Sequence, residues 1–165
     1  MKKLATAIHP SPFGKLYLIA DDDVLLAAGF RSLEDLIQRL PEDVAERGFK
    51  RAASIATVSE VWSAYCDGDI RGLTKVRWSQ AGGNFTQKAW KAMTKIPVGK
   101  TISYAELATQ SGSPAAVRAA GSACSSNLIA PFIPCHRIVR TGGALGGYGY
   151  GLPTKIALLE FEGAL

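Results

Sequence analysis

Residues 103–127 read SYAELATQSGSPAAVRAAGSACSSN, two short helical segments, SYAELATQSG and SPAAVRAAGSACSSN, with Gly112 between them. Ser113 and Pro114 supply a cap and a first-turn proline for the second segment. Two short helices around a tight glycine turn outline a helix-turn-helix. In such a unit the second helix enters or abuts a DNA groove, and here it carries Arg118 among Ala115, Ala116, Ala119, Ala120 and Gly121. Small side chains let a helix backbone approach another surface closely, whether DNA or a neighbouring helix, so this pattern alone leaves both uses open.

The flanks extend the helical character. Upstream, Asn84 is placed to cap FTQKAWKAMTKI, with Phe85, Ala89, Trp90, Met93 and Ile96 on the buried side and Pro97 and Gly99 as the stop. Downstream, PFIPCHRIV reads as an extended segment and RTGGALGGYGYG as a glycine-rich loop. A last helix begins at Pro153, with Ile156, Leu158, Leu159 and Phe161 apolar. Glycines 142, 143, 146, 147, 149 and 151 make that loop permissive enough to bring backbone N–H groups to a ligand, or to form an ordinary surface hairpin.

The first half has a different texture. LATAIH, KLYLIA and VLLAAGF are short apolar runs separated by PSPFG and DDD, the pattern of an antiparallel meander. Ser32 caps LEDLIQRL with Asp35 three residues on, and a periodic stretch from about Ala52 to Cys66 aligns Ile55, Val58, Val61, Trp62 and Tyr65. Residues from Gly68 to Gly83 are irregular and polar apart from a strand-like LTKVRWSQ, and Gly82-Gly83 is the linker candidate. The expected class is α/β (α+β), with an N-terminal sheet lobe over 1–83 and a mostly helical C-terminal lobe over 84–165.

Charge separates these halves. Residues 1–83 hold 11 Lys/Arg against 11 Asp/Glu, whereas 84–165 hold 8 against 3, so the whole net charge of +5 lies in the second half. Between Asn84 and Lys155 the only acid is Glu106, a field that attracts a polyanion. With 165 residues, 47% hydrophobic and 20% charged, the chain can bury a core without staples, and no apolar run approaches the ~18 residues of a membrane span. MKKLATAIHPSPFG lacks the long apolar segment of a secretory signal, so a cytoplasmic location is expected. Cys66, Cys124 and Cys135 form no CxxC pair, and with only His9 and His136 besides, neither a disulfide framework nor a metal site is expected.

Cys135 stands apart from the other two cysteines because His136 and Arg137 follow it, and nearby cations favour the reactive thiolate. On an extended chain adjacent side chains point to opposite faces, so Cys135 and His136 pair only if the chain turns or a water bridges them. The segment IPCHRIV, residues 133–139, resembles the active-site signature of the O6-alkylguanine-DNA alkyltransferases (methylated-DNA-protein-cysteine methyltransferases). FTQKAWKAM, IPVGKTISYAELA, RAAG, Asn127, GYGYG and KIALLEFE fall in that family's order and spacing, and SPFGKLYLIADD resembles its weaker N-terminal pattern.

This resemblance implies direct repair of double-stranded DNA carrying O6-alkylguanine, without a cofactor. Cys135 would take the alkyl group irreversibly, once per molecule, with His136 as base through a water, Glu162 orienting the imidazole, and Asn127 pinning the turn beside the cysteine. Tyr104 would donate to the leaving base at N3. The target nucleotide would be flipped out of the duplex, with Arg118 entering the stack and Ser113 and Thr141 contacting phosphate. Ile138, Tyr148, Gly149 and Tyr150 would line the base pocket. Tyr150 stands where many members carry glycine, which puts bulky O6 adducts in doubt. The resemblance also implies a ribonuclease H-like N-terminal lobe acting as scaffold and a monomer in solution. Acceptance of O4-alkylthymine and cooperation along DNA stay open, and a noncatalytic alkyl-damage sensor or helix-turn-helix regulator is the alternative function.

Overall fold

The computed structural model describes residues 1–165, which divide into two compact units. One comprises Met1–Ala81 together with Leu128–Phe132, the other Gly82–Asn127 and Ile133–Leu165.

The first unit is built on the expected meander. Strands β1 (Leu4–His9), β2 (Leu16–Asp21) and β3 (Val24–Gly29) pair antiparallel in sequence, and β4 (Phe49–Arg51) returns parallel to β1, giving the order β3-β2-β1-β4. In β2, Leu18, Ile19 and Ala20 are consecutive and all buried. Neighbours in a strand point to opposite faces, so both faces of the sheet are covered.

On one side α1 (Leu33–Arg39) places Leu36 with Leu4, Ile19, Ala27, Leu40 and Leu128 in one apolar cluster. Ser32 caps α1, accepting from the Asp35 amide at 3.0 Å. A short helix, α2 (Glu42–Ala45), leads into β4, and α3 (Ala56–Cys66) follows it. In α3, Trp62 stacks on Tyr65 at 5.2 Å, with Phe13, Phe30 and Phe132 tilted against Trp62.

Three readings of this half are corrected. The helix expected from about Ala52 starts only at Ala56, and Val61 is half-buried rather than core. LTKVRWSQ is not a strand: Ile70–Lys75 winds as a 3-10 helix, and only a bridge from Trp78 to Leu25 remains extended. Leu128–Phe132, expected in the second half, joins the sheet unit, where Ile129 bridges Ala28 and the Ala28 amide donates to Leu128 O at 2.8 Å.

In the second unit α4 (Asn84–Met93), α5 (Tyr104–Gln110) and α6 (Val117–Ser126) pack on one another, and the Trp90 indole N–H donates to Ala123 O at 2.9 Å. Two short strands, β5 (Ile102–Ser103) and β6 (Ile138–Val139), run parallel, and α7 (Leu152–Phe161) closes the chain. Gly82 is more than a linker, since a Cβ there would lie 2.8 Å from the Trp90 ring.

Capping differs from expectation at two helices. Gly83 caps α4 and Asn84 is its first residue, without a side-chain cap bond. Ser113-Pro114 does not begin α6 but forms a turn, with the Ser113 amide on Ala108 O and the Ala116 amide on Ser113 O, so α6 starts at Val117. Arg118 therefore stands, exposed, in the first turn of α6. A reciprocal capping box of Ser103 and Glu106 fixes the start of α5 at Tyr104.

Candidate active site

Every residue from Asn127 to Val139 is buried, and Cys135 lies within this run. The expected extended geometry is corrected at this point, because Cys135–Arg137 forms one turn of 3-10 helix before β6. The Cys135 amide donates to Ile133 O and the Arg137 amide to Pro134 O, at 2.8 and 2.9 Å. In a three-residue turn successive side chains splay by about 120°, so the strict opposition of Cys135 and His136 is lifted.

Asn127 caps the end of α6 and reaches this turn from the side. Its Nδ2 donates to Ile133 O at 2.8 Å and to Cys135 Sγ at 3.4 Å. His136 Nε2 meets Glu162 Oε2 at 2.9 Å, with both side chains fully buried. Glu162, the capping residue at the end of α7, is also gripped by Arg137: Nε donates to Oε1 at 2.8 Å and Nη2 to Oε2 at 3.1 Å. Arg137 Nη1 donates to Ile96 O at 3.3 Å. Such a two-pronged grip is the strong form of carboxylate recognition.

Burial alone would raise the Glu162 pKa, but hydrogen bonds and charge from His136 and Arg137 outweigh it and hold the carboxyl at about 2. The His136 imidazole is pushed below its ordinary value, chiefly by burial, against the pull of Glu162. An ionised carboxylate only accepts, so Nε2 of the neutral ring carries the hydrogen and Nδ1 presents a lone pair. That Nδ1 is buried without a hydrogen-bond partner.

Both pKa values are depressed on folding, so the stability they carry is present above the unfolded values and is lost as pH falls. The His136 contribution is lost on acidification below 6.5, where His9, also depressed by burial, adds to the same arm. The Glu162 contribution is lost between 4.5 and about 2 and is on the order of 3 kcal/mol. Urea unfolding at stepped pH should therefore show a second decline beneath pH 4.5, flattened in Glu162→Gln. A wild-type protein equally stable at pH 6 and pH 3 is the contrary outcome.

The remaining expected residues lie around this cluster unevenly. Tyr148 meets the His136 ring edge-on at 6.5 Å between centroids, and Tyr150 meets Tyr148 at 5.7 Å. Tyr104 is half-buried, its pKa raised chiefly by that burial, and its hydroxyl lies 3.0 Å from where a Cβ on Gly146 would stand. Ile138 is buried in β6, and Gly149 is exposed in the glycine-rich loop. Ser113 sits half-buried in the turn before α6, and Thr141 is exposed.

Two buried cations escaped the sequence reading as site residues: Arg137, expected only as a neighbour favouring the thiolate, and Lys155. Lys155 had a visible signal, because it precedes Leu158 and Leu159 by three and four residues and so shares their buried stripe.

Known proteins resemble this chain over both units. The family model described as 6-O-methylguanine DNA methyltransferase, DNA binding domain, matches residues 84–164. A methylated-DNA–protein-cysteine methyltransferase of Methanosarcina acetivorans is 35% identical over 158 residues, 96% of this chain and 97% of that protein. The bifunctional transcriptional activator/DNA repair enzyme Ada of Escherichia coli is 35% identical over 145 residues, 88% of this chain, which spans only 38% of Ada. The crystal structure of Mycobacterium tuberculosis OGT in complex with DNA superposes with a TM-score of 0.80 at 35% identity, covering 97% of this chain and 93% of that one. With 35% identity to a methylated-DNA–protein-cysteine methyltransferase over nearly the whole of both chains, and a structural match of similar extent, the chain belongs to the methylated-DNA–protein-cysteine methyltransferase family.

Proposed function

We propose that this protein repairs O6-alkylguanine in double-stranded DNA by moving the alkyl group to Cys135 in a single, irreversible turnover. The observation that carries this reading is the buried array around one thiol. Asn127 donates to the Cys135 sulfur, and Glu162 orients a neutral His136 whose Nδ1 keeps a lone pair. In the reaction the thiol proton passes through a bridging water to His136 Nδ1, and the sulfur attacks the alkyl carbon in line. The S–C bond forms as the C–O6 bond breaks, and the electron pair leaves with guanine, which takes a proton at N3 from the Tyr104 hydroxyl. A base with a depressed pKa is deprotonated at neutral pH and ready to accept, while the ionised Glu162 stabilises the imidazolium formed.

Access to O6 requires the nucleotide to leave the stack. Arg118, exposed at the start of α6, enters the gap from the minor groove. Ser113 and Thr141 contact phosphate, and Ile138, Tyr148, Gly149 and Tyr150 line the pocket that receives the base. Tyr150, edge-on to Tyr148, narrows that pocket against bulky adducts. The residues from 84 onward form the DNA-reading and transfer part, the sheet half acts as its scaffold, and the protein works as a monomer in the cytoplasm. No helix is long and apolar enough to cross a membrane.

Incubation with duplex DNA bearing O6-methylguanine, followed by intact and peptide mass spectrometry, tests the reading. The expected result is a gain of one methylene on Cys135, one per molecule. Cys135→Ser should show none, a loss of more than about 10^4-fold in transfer rate. Tight binding of the damaged duplex with no mass change would instead identify a noncatalytic sensor.

A further inference from the structure

Lys155 is fully buried, one turn into α7. Its ammonium donates to Ile138 O at 2.7 Å, to Gly147 O at 3.2 Å and to Leu145 O. An ammonium has three N–H donors and no acceptor, so these three backbone carbonyls use its full hydrogen-bonding capacity. The three acids of residues 84–165 lie elsewhere: Glu162 is held by His136 and Arg137, Glu106 sits in the α5 capping box, and Glu160 is exposed near the end of α7. Burial draws the Lys155 pKa below its ordinary value, a cost that surface lysines avoid by keeping the head in water.

The acceptors show what this burial accomplishes. Ile138 opens β6, two residues after His136, whereas Leu145 and Gly147 belong to the glycine-rich loop. The backbone bonds of that loop include the Arg140 amide to Ala144 O, the Gly143 amide to Arg140 O and the Gly151 amide to Tyr148 O. Gly146, between the two tethered loop carbonyls, has φ +73 and leaves the Tyr104 hydroxyl room that a side chain would take. A segment with this many glycines loses more conformational entropy on ordering than an ordinary segment of its length.

We infer that Lys155 is a positioning residue, a cationic tether that fixes residues 145–147 between Ile138 and Tyr104 and thereby sets the wall of the base pocket. The inference rests on the proposed function for its consequence in alkyl transfer, while the tether itself is testable without that chemistry.

Lys155→Met keeps the length and apolar bulk of the stem and removes the three donors. Hydrogen exchange should quicken by at least about tenfold for amides in 140–151 and leave α4 and α6 protected. Single-turnover transfer from O6-methylguanine duplex should slow about tenfold or more at saturating DNA, with affinity for undamaged duplex within about twofold. A merely structural lysine would speed exchange throughout the unit and would not split rate from affinity in this way.

Lys155→Gln, which retains a neutral donor pair, serves if the methionine variant does not fold. On the wild-type protein, one lysine ammonium should exchange its protons slowly in 15N NMR, whatever the variants do. Unchanged loop exchange in a folded variant, uniform acceleration, or lysine ammonium groups that all exchange alike would overturn the tether. Absence of methyl transfer in the wild type would overturn the reading of Cys135 instead, and the exchange measurement would still decide on Lys155.

Discussion

Glu162→Ala is expected to destabilise the protein by about 3–5 kcal/mol and to slow methyl transfer by roughly 10^2- to 10^4-fold. Glu162 holds two partners at once, the His136 ring and the Arg137 guanidinium, all of them buried. Without the carboxylate Arg137 keeps only its bond to Ile96 O, and a buried cation with a single carbonyl is the costly half of a broken ion pair. His136 simultaneously loses the acceptor that fixes its Nε2–H tautomer, so its Nδ1 is no longer reliably a base.

The two losses separate experimentally. Glu162→Gln retains the shape and one acceptor oxygen but turns an N–H toward one of the two donors, so it should be intermediate in stability while transfer stays slow. Urea midpoints and single-turnover rates, measured well below the unfolding temperature of the weakest variant, check both. An alanine variant with wild-type stability and rate would sink the account of this array.

The sequence revealed the elements whose signals are local. The β1–β3 meander reads directly from apolar runs between turns, and α1 from Ser32 and its following hydrophobic residues. The site residues Asn127, Cys135, His136 and Glu162 were recognisable as a family pattern, yet their geometry was not. The 3-10 turn at Cys135–Arg137 depends on two backbone bonds within IPCHR that have no side-chain signature, so the residue types alone read as extended.

Non-local causes account for other differences. Leu128–Phe132 joins the sheet unit because β3 offers Ala28 an unpaired edge, a fact about strand order rather than composition. LTKVRWSQ has strand-like residue types, but its first residues are drawn into the 3-10 helix beside α3, where Leu73 is buried. Arg137 looked like a contributor to the charge near a thiol. Its guanidinium instead turns to a carboxylate 25 residues away, a partnership that spacing does not announce.

Asn127→Ala is expected to slow methyl transfer by about 10^2-fold, and Asn127→Asp by more. The chain leaves its helical unit after Asn127 and re-enters at Ile133, and the Asn127 side chain ties those two points together at 2.8 Å. The same nitrogen reaches the Cys135 sulfur at 3.4 Å, so one amide fixes both the turn and the nucleophile on it. Alanine removes both donors; because Ile133 O still accepts from the Cys135 amide, the stability loss should stay near 1–3 kcal/mol.

Aspartate is the sharper test, since it is nearly isosteric but presents an ionised acceptor to a carbonyl and a sulfur. A buried charge without a donor is costly, and a neighbouring anion disfavours the thiolate. The pH profile of Cys135 alkylation by iodoacetamide reads the sulfur without DNA. Its midpoint should move up in the alanine variant, through loss of a donor to the thiolate, and further up in the aspartate variant. Affinity for undamaged duplex should remain within about twofold, because Asn127 is buried and has no part in holding phosphate. A slow transfer accompanied by an unmoved alkylation profile would mean that Asn127 acts on the turn alone, and its contact with the sulfur would then carry no weight in the chemistry.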